Sequence, residues 1–352
     1  MIITAEISGI KYVTKLARNL EKFRLASLSQ ALASHASFLL EMDTNDSLSL
    51  SWWVSPKRTR SYPYARVYDT LPSKGKKVTI IPIFKDEGKD GDRDFLQWDT
   101  VSLMSLLEVH VIVAYYKSAS RNPNYDDKIT DQRFDTDYLK SRLSEIVRYP
   151  LDPLRWNLSQ MEKVGELATR ALSAYEEMYQ KLKVRMHSAR SAKTRISELV
   201  KGREVFIALS RRLAEKAQAR EITTIQPKEK LSGAKAAITI RDRLGGQYFF
   251  TVDETRLVNG NVLLIEGKNT RENRLPSLAD IKDALLKMIV YTNLRNVMID
   301  GRKVSVTPAL LLTTGPNLPP GILSSDGVFR SLKQEAVANG FQILLNEEVS
   351  VS

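Results

Sequence analysis

The sequence predicts a mixed α/β protein with a helical middle segment. Short runs rich in β-branched and aromatic residues lie between residues 47 and 116 and again after residue 236, and such runs favour strands. From Thr136 to Leu199, apolar residues recur at three- and four-residue spacing, which is typical of helices. The chain has 352 residues, which is enough for two domains of about 100–200 residues each.

Residues 1–130 are predicted to form a mixed α/β region. Helical spacing of apolar residues runs from Leu16 to Met42. A further helix is predicted at 94–108, and the polar stretch 118–133 is predicted to be a surface loop. Strands are predicted, from their aromatic and β-branched residues, at 47–54, 64–71, 76–84 and 109–116.

Residues 131–202 are predicted to form a helical segment. Pro150 and Pro153 interrupt the helical pattern, because proline breaks a helix interior. A long helix is predicted next, at 158–184. The polar stretch 187–203 is the predicted domain boundary.

Residues 203–352 are predicted to form a C-terminal domain with a regular order of elements. Three strands follow one another closely and are joined by short turns containing Gly or Asn. Ser277 is a suitable N-cap for the helix after them, and Gly340 is a stop signal for the last helix. The predicted order is helix, three strands, helix, strand, helix and strand, at 203–220, 236–243, 247–254, 261–268, 278–294, 304–314, 325–340 and 341–348.

A pair of opposite charges ends the third of these strands. Glu266 and Lys268 follow the apolar run 262–265, and side chains two positions apart in a strand point to the same face. Asp253 lies at the end of the preceding strand. If the two strands pair as a hairpin, we expect all three side chains to lie at the same end of the sheet.

This combination of residues suits the hydrolysis of a phosphodiester. Mg²⁺ prefers carboxylate oxygens, so Asp253 and Glu266 are candidate metal ligands, and the carbonyl oxygen of Gly267 is a further one. A bound Mg²⁺ polarises a phosphate and lowers the pKa of a bound water. The Lys268 ammonium can hold that water or stabilise charge that builds on the phosphate. Glu254 is an alternative to Asp253 as the first carboxylate.

The pattern resembles a known nuclease family. Asp253 and then Glu266-Gly267-Lys268, on a strand hairpin with a helix before and after it, are similar to the D-x(n)-[D/E]-x-K motif of the PD-(D/E)XK nuclease superfamily. The segment LIEGKNTRENRLPSLADIKDALLKMIVYTNL is especially similar to the type II restriction endonuclease branch. The likeness covers residues 203–315. One departure is Val252, where the family usually has a proline.

The resemblance implies a restriction-endonuclease-like core of a helix, a three-strand meander, a helix and a strand. It implies that Asp253 and Glu266 bind Mg²⁺ and that Lys268 is the catalytic lysine. The implied activity is that of a type II restriction endonuclease, which hydrolyses double-stranded DNA and leaves 5′-phosphate ends. Cutting both strands of a palindrome favours a two-fold homodimer. In such an enzyme, residues 1–130 are expected to contribute DNA binding and specificity, and residues 131–202 to hold DNA or contribute to dimer formation. The alternatives are a repair, transposon or phage-defence nuclease of the same superfamily and a DNA-binding protein without catalytic activity.

A second carboxylate–lysine pattern lies in the N-terminal region. Asp69 precedes Glu87-Gly88-Lys89, which again reads E-x-K. Glu87 comes after a predicted strand and within an acid-rich stretch, which favours a loop over a strand-mounted site. The region remains a competing or additional nuclease-like site.

The charge of the chain favours a polyanionic partner. Lys and Arg number 53 against 41 Asp and Glu, a formal net charge of +12, and basic side chains release the counterions condensed on DNA. Tyr62 and Tyr64 lie among the first basic residues and suit base stacking. For the basic residues between 57 and 66 and between 183 and 195, the alternative is an exposed surface that binds no ligand. The candidate DNA contacts are Lys57, Arg58, Arg60 and Arg66, then Lys183, Arg185, Arg190, Lys193 and Arg195, and finally Arg271 and Arg274 beside the scissile strand.

Several classes of site are excluded or disfavoured. The chain has no cysteine, so it forms no disulfide, thiolate zinc site or cysteine nucleophile. His35, His110 and His187 are widely spaced and form no metal-ligand pattern. Because charge appears early and no apolar run reaches the ~20 residues of a membrane span, a cytoplasmic protein is expected.

Overall fold

The computed structural model describes residues 2–44, 46–57, 62–149, 151–201, 203–223, 234–242, 247–258, 260–316, 326–346 and 348–351. The chain divides into two compact units, one of Met1–Arg18 with Arg212–Ser352 and the other of Asn19–Arg211. This division differs from the predicted one, because the first strand belongs with the C-terminal elements and the helical segment 131–202 shares a unit with the strands before it. No helix in the described ranges is long and apolar enough to cross a membrane.

The unit Asn19–Arg211 contains a five-stranded sheet in the order β2-β3-β4-β5-β8 and two small hairpins, β6–β7 and β9–β10. The first strand of the chain, β1 (Ile2–Ile7), is outside this unit. The strands of the unit are β2 (Lys22–Arg24), β3 (Ser37–Glu41), β4 (Ser47–Trp52), β5 (Lys76–Pro82), β6 (Phe84–Asp86), β7 (Arg93–Phe95), β8 (Val109–Ala114), β9 (Tyr116–Arg121) and β10 (Ile129–Phe134).

Helices cover most of the second half of this unit. Pro153 begins α5, as its missing N–H allows at a first helical turn. The last helix crosses the division between the units. The helices are α1 (Leu28–Ser34), α2 (Pro63–Tyr68), α3 (Trp98–Leu106), α4 (Thr136–Arg148), α5 (Pro153–Glu162), α6 (Val164–Leu182), α7 (Ala189–Val200) and α8 (Arg203–Thr223).

Three predictions for the N-terminal region were wrong. The predicted helix from Leu16 to Met42 is reduced to α1, because β3 pairs with β4 instead of continuing the helix. The predicted strand 64–71 is the short helix α2, which Pro63 begins. The predicted loop 118–133 contains most of the β9–β10 hairpin. The strands at 47–54, 76–84 and 109–116 and the helix at 94–108 are confirmed apart from their ends.

The other unit is built on a nine-stranded mixed sheet in the order β15-β14-β1-β11-β12-β13-β16-β17-β18. The predicted helix–three strands–helix–strand–helix–strand order is confirmed, and the strands β1, β14, β15 and β18 were missed. The remaining elements are β11 (Ala234–Asp242), β12 (Gln247–Val258), β13 (Asn261–Asn269), α9 (Leu278–Tyr291), β14 (Arg295–Ile299), β15 (Arg302–Lys303), β16 (Val306–Thr313), α10 (Gly327–Asn339), β17 (Gln342–Leu345) and β18 (Glu348–Val351).

Burial on both faces explains why the centre of this sheet is so apolar. β12 and β13 pair as an antiparallel hairpin, and β13 and β16 run parallel. Parallel strands covered on both sides read as continuous apolar runs. On one face, Leu263 and Ile265 pack with residues of β16 and β17. α9 packs against β13 and β16.

The ends of the helices in this unit follow the predicted capping signals. The Ser277 hydroxyl accepts a hydrogen bond from the Asp280 N–H at 3.1 Å and begins α9. Gly340 ends α10 with φ = 73°, in the left-handed region that favours glycine. The Ser277 cap thus fixes the residue at which α9 begins.

Candidate functional site

The structure brings Asp253, Glu266 and Lys268 together. The register of the hairpin pairs Glu254 with Ile265, so the next residues along are Asp253 and Glu266, opposite each other. The Gly267 N–H donates a hydrogen bond to Asp253 Oδ2 at 2.9 Å. Lys268 Nζ lies 3.1 Å from Glu266 Oε1. The expected arrangement of the three side chains is therefore present at the centre of the nine-stranded sheet.

Helix α9 adds two charged residues to this group. Lys287 Nζ lies 2.6 Å from Glu266 Oε2, so each oxygen of Glu266 has a lysine partner. Asp283 Oδ2 lies 3.6 Å from Lys268 Nζ. Asp283 Oδ1 is buried and has no hydrogen-bond partner in the described part of the chain. We call Asp253, Glu266, Lys268, Asp283 and Lys287 the acid–lysine cluster.

Sequence reasoning missed Asp283 and Lys287. They are four positions apart, which places them on the same face of a helix. An acid and a lysine at this spacing, in the helix that follows the E-x-K strand, was a usable signal. The information that turns this face toward Glu266 lies in the packing of α9 on the sheet, which the sequence pattern alone does not give.

Burial separates the pKa values of the three carboxyl groups. Burial, and then the neighbouring Glu266 charge, raise the pKa of Asp253 to about 7. Burial also raises the pKa of Asp283. Burial opposes ionisation of Glu266, which is 1% exposed, but Lys287 and Lys268 outweigh it and hold the pKa of Glu266 below its usual value. Near neutral pH, the cluster thus contains one firmly ionised carboxylate and one that changes charge easily.

The cluster fits a divalent cation held by few protein ligands. The carboxyl groups of Asp253 and Glu266 interact directly. The raised pKa of Asp253 indicates that ionising both groups at once is unfavourable. A cation between two such carboxylates relieves that repulsion, and Mg²⁺ is commonly bound by only one or two carboxylates together with waters and phosphate oxygens. Within the described ranges, no group of three or more acid, histidine or cysteine side chains is arranged to hold a metal. Asp253 and Glu266 are thus the two carboxylates of the cluster that a cation could contact together.

Gly267 lies where a main-chain ligand is expected. Its N–H points to Asp253 on β12. In an extended strand, the N–H and C=O of one residue face the same edge. Its carbonyl oxygen therefore also faces the edge on which Asp253 lies, and its role as a third ligand stays a prediction.

Glu254 is not part of the cluster. It is fully buried, and its Oε1 accepts a hydrogen bond from Arg256 Nε at 2.5 Å. This geometry favours Asp253 over Glu254 as the carboxylate that works with Glu266.

The competing pattern at Glu87 has a different geometry. Glu87 follows β6, and its two oxygens lie 2.7 Å from Lys85 Nζ and 3.2 Å from Lys128 Nζ. Lys89 uses its backbone N–H to bind the Arg185 carbonyl. Asp69 caps the end of α2 and is buried. The structure gives Glu87 two lysine partners and, within the described chain, no ion pair to Lys89.

The first group of candidate DNA contacts is divided. Arg58 and Arg60 lie outside the described residues. Arg66 stacks on the Trp52 ring at 4.4 Å from its centroid and donates a hydrogen bond to the Trp52 carbonyl at 2.9 Å. Lys57 is exposed. Arg66 is thus engaged in packing, whereas Lys57 is free to face a ligand.

The second group does not form one continuous helical ridge. α6 ends at Leu182, Lys183 adopts a left-handed conformation (φ = 53°), and α7 begins only at Ala189. Arg185 lies between the two helices, where its Nε donates to Asp127 Oδ2 at 2.6 Å. The helix ends here because residues of this connection are tied to neighbouring loops.

The members of this group on α7 remain candidates for DNA contact. Arg190 and Lys193 are exposed on α7, with Lys193 Nζ 3.9 Å from Glu176. The side chain of Arg195 lies outside the described part of the structure. In the other unit, Arg271 is exposed and Arg274 pairs with Glu272 at 2.6 Å.

The three histidines have protein partners. His35 Nε2 lies 2.9 Å from Glu21, and His187 Nδ1 lies 2.7 Å from the buried Asp86. His110 is buried, with a ring nitrogen 3.1 Å from the Leu151 carbonyl. These positions indicate structural roles for the histidines.

Comparisons of the chain with models of protein families, with curated proteins and with solved structures gave no match. The features of the chain that bear on its function are the acid–lysine cluster, the element order around it and the net charge of +12.

Proposed function

We propose that the protein is a cytoplasmic, Mg²⁺-dependent endonuclease of double-stranded DNA that leaves 5′-phosphate ends, as a type II restriction endonuclease does. The observation that carries the proposal is the group of Asp253, Glu266 and Lys268 at the centre of a sheet, with Glu266 buried and the other two partly buried. Buried ion pairs are often no more stabilising than apolar residues of the same size. A fold that keeps charged groups in such a place, with perturbed pKa values, is better explained by chemistry than by stability.

The order of elements around the cluster supports the same proposal. From α8 to β16 the chain forms a helix, three antiparallel strands, a helix, the short strands β14 and β15, and a further strand. Apart from β14 and β15, this is the order that the resemblance to PD-(D/E)XK nucleases implies. The net charge of +12 suits a DNA substrate. Palindromic cutting favours a homodimer, and we include this state in the proposal.

Each member of the cluster has a definite part in this proposal. Asp253, Glu266 and the Gly267 carbonyl would hold Mg²⁺, which, when bound, polarises the phosphate and acidifies a water. Lys268 lies beside Glu266 and has a raised pKa despite its burial, because Glu266 outweighs desolvation. It therefore stays protonated and acts as an electrostatic partner of the phosphate.

The two residues from α9 position the others. Lys287 keeps Glu266 ionised through the contact at Oε2, and its own pKa stays well above the usual value, because Glu266 and Asp253 outweigh desolvation. Asp283 Oδ2 lies 3.6 Å from Lys268 Nζ, which also contacts Glu266. Lys268 is thus held between two carboxyl groups, which fixes its ammonium group in the site.

The test is digestion of plasmid and phage DNA with and without Mg²⁺. Wild type is compared with Asp253→Asn, Glu266→Gln and Lys268→Met, each close in size to the native residue. Glu87→Gln is the matched control, because Glu87 also has two lysine partners and precedes a glycine and a lysine. We expect discrete, Mg²⁺-dependent fragments from wild type and Glu87→Gln, and none from the three cluster variants.

The same assay separates the alternatives. Cutting that follows DNA ends or structures rather than fixed positions indicates a repair or defence nuclease with the same site. Salt-dependent retention of DNA without any cutting indicates a binding protein. Full activity in Glu266→Gln contradicts the proposed site, and Glu87 then becomes the candidate catalytic carboxylate.

A further inference from the structure

A cavity in the unit Asn19–Arg211 is separate from the acid–lysine cluster. Its volume is about 680 Å³, within the range of small-molecule sites. α1 contributes Leu32 to its wall, the end of β4 contributes Trp52, and the end of β10 contributes Phe134. A second cavity of about 350 Å³ also borders Trp52 and Asp131. The aromatic wall and the space beside it raise the question of which ligand fits.

Trp52 is held rigidly at this border. Its indole N–H donates a hydrogen bond to the His35 carbonyl at 2.7 Å, and Phe134 packs edge-on at a centroid distance of 6.1 Å. Arg66 stacks on the ring. Since indole has a single donor and no acceptor, the remaining surface of Trp52 offers only apolar and stacking contact.

Trp52 also differs from the other tryptophans in exposure. Trp53, Trp98 and Trp156 are at most 3% exposed, whereas Trp52 is only half-buried. A fixed, partly open aromatic ring costs little conformational entropy when it binds a flat partner. The ring therefore suits a planar aromatic ligand.

Charged side chains stand beside the aromatic wall. Asp131 and Arg133 line the cavity and are exposed, and neither side chain has an ion-pair or hydrogen-bond partner in the described ranges. Lys117, also in the lining, is 59% exposed and pairs with Asp135 at 3.2 Å. The cavity thus presents one carboxylate and two cations that a ligand can reach.

The backbone at Asp131 is unusual. Its φ is 49°, in the left-handed region, where the hairpin register shifts between Thr130 and Arg133. Such a conformation is uncommon for a residue other than glycine and is found often at binding sites. The irregularity places Asp131 at the border of both cavities.

We propose that this cavity binds a nucleotide whose base has an exocyclic amine. The base stacks on Trp52, Asp131 accepts a hydrogen bond from the amine, and Arg133 and Lys117 bind the phosphate. The choice of a nucleotide among planar anions rests on the proposed DNA function. The ligand has two sources with the same chemistry, a free nucleotide and an unpaired base within a DNA strand.

Binding is measured by calorimetry in EDTA, so that cleavage plays no part. The probes are dCMP, dAMP, dGMP and dTMP, and short single-stranded oligonucleotides of the same bases. Binding of free nucleotides as tight as that of the oligonucleotides identifies a nucleotide site. Much tighter binding of the oligonucleotides identifies a site for a base in DNA. Either result supports the proposal.

Two variants test the named contacts. Trp52→Ala is expected to weaken binding by about fivefold or more, because stacking contributes about 1–3 kcal/mol per base. Asp131→Asn, at an exposed position, is expected to fold normally and to reduce the preference for dCMP, dAMP and dGMP over dTMP. The thermal midpoint of each variant shows whether a loss of binding comes from unfolding.

Two outcomes contradict the proposal. One is that wild type binds neither nucleotides nor oligonucleotides; the other is that correctly folded Trp52→Ala and Asp131→Asn bind as wild type does. A protein that cuts DNA but fails this test refutes the cavity proposal alone, and a protein that binds nucleotides but does not cut refutes the nuclease proposal alone.

Discussion

Asp253 is expected to make the protein less stable as the pH rises toward neutrality. Its pKa is raised from 3.8 to about 7 in the folded chain, by burial first and by Glu266 second. Between these two pH values the unfolded chain has lost the proton and the folded chain still holds it. The folded state then binds more protons than the unfolded state, so the free energy of unfolding falls as the pH rises, and levels off above about pH 7.

The size of this effect follows from the same pKa values. A difference of one pH unit corresponds to about 1.4 kcal/mol, so the full effect is about 4 kcal/mol. Asp253→Asn removes the ionisable group while keeping its shape and the capacity to accept the Gly267 hydrogen bond. The stability of this variant relative to wild type is therefore expected to increase by about 3 kcal/mol between about pH 5 and pH 8.

Urea unfolding followed by circular dichroism, for both proteins at several pH values, measures this difference. Comparing the two proteins cancels groups that titrate in both, except those that interact with Asp253. Glu87→Gln is the control, and its difference from wild type is not expected to show the same rise. If the difference in free energy of unfolding between wild type and Asp253→Asn stays constant from acid to neutral pH, the pKa of Asp253 is not raised in the folded protein.

Three further predictions concern the charges. Mg²⁺ binding at about pH 6 is expected to release close to one proton from Asp253, seen by calorimetry in buffers of different ionisation enthalpy; no proton release contradicts Asp253 as a ligand. Lys287→Met is expected to destabilise the protein by about 3–5 kcal/mol, and adding Glu266→Gln to restore part of it, in urea unfolding; equal losses in single and double variants contradict the pairing. Arg66→Ala is expected to lower the thermal midpoint and leave the salt dependence of DNA binding unchanged, while Arg190→Ala is expected to reduce that salt slope by about one; the reverse pattern contradicts the roles given to them.

The sequence predicted the hairpin and the cluster's first three residues because the relevant signals are local. The apolar run before Glu266, the turn before it and the Ser277 cap all act within a few residues. Strand alternation then places Glu266 and Lys268 on one face. Pairing with the preceding strand is the simplest arrangement for a short turn, and the structure has that pairing.

Elements that depend on distant partners were not predictable in the same way. β1 pairs with β11, more than two hundred positions along the chain, and no local pattern marks it as part of that sheet. The segment from Leu16 to Met42 has helical spacing, but pairing with β4 draws residues 37–41 into a strand. Tertiary contacts outweigh local propensity in both cases.

The contribution of α9 to the site shows the same limit. Asp283 and Lys287 were visible as a charged pair on an otherwise apolar helix. Whether Asp283 and Lys287 reach Glu266 and Lys268 depends on which face of α9 packs on β13 and β16. The sequence pattern does not say that this face includes two charged residues, since charged residues ordinarily face solvent.

The rate of plasmid cleavage in Glu266→Gln compared with Glu87→Gln decides which of the two E-x-K patterns belongs to the nuclease site. Both variants remove one negative charge from a glutamate with two lysine partners and an E-x-K sequence. We expect Glu87→Gln to cut DNA at nearly the wild-type rate with Mg²⁺, and Glu266→Gln to be slower by about a hundredfold or more. Wild-type cutting by folded Glu266→Gln, with loss of cutting in Glu87→Gln, would contradict this expectation.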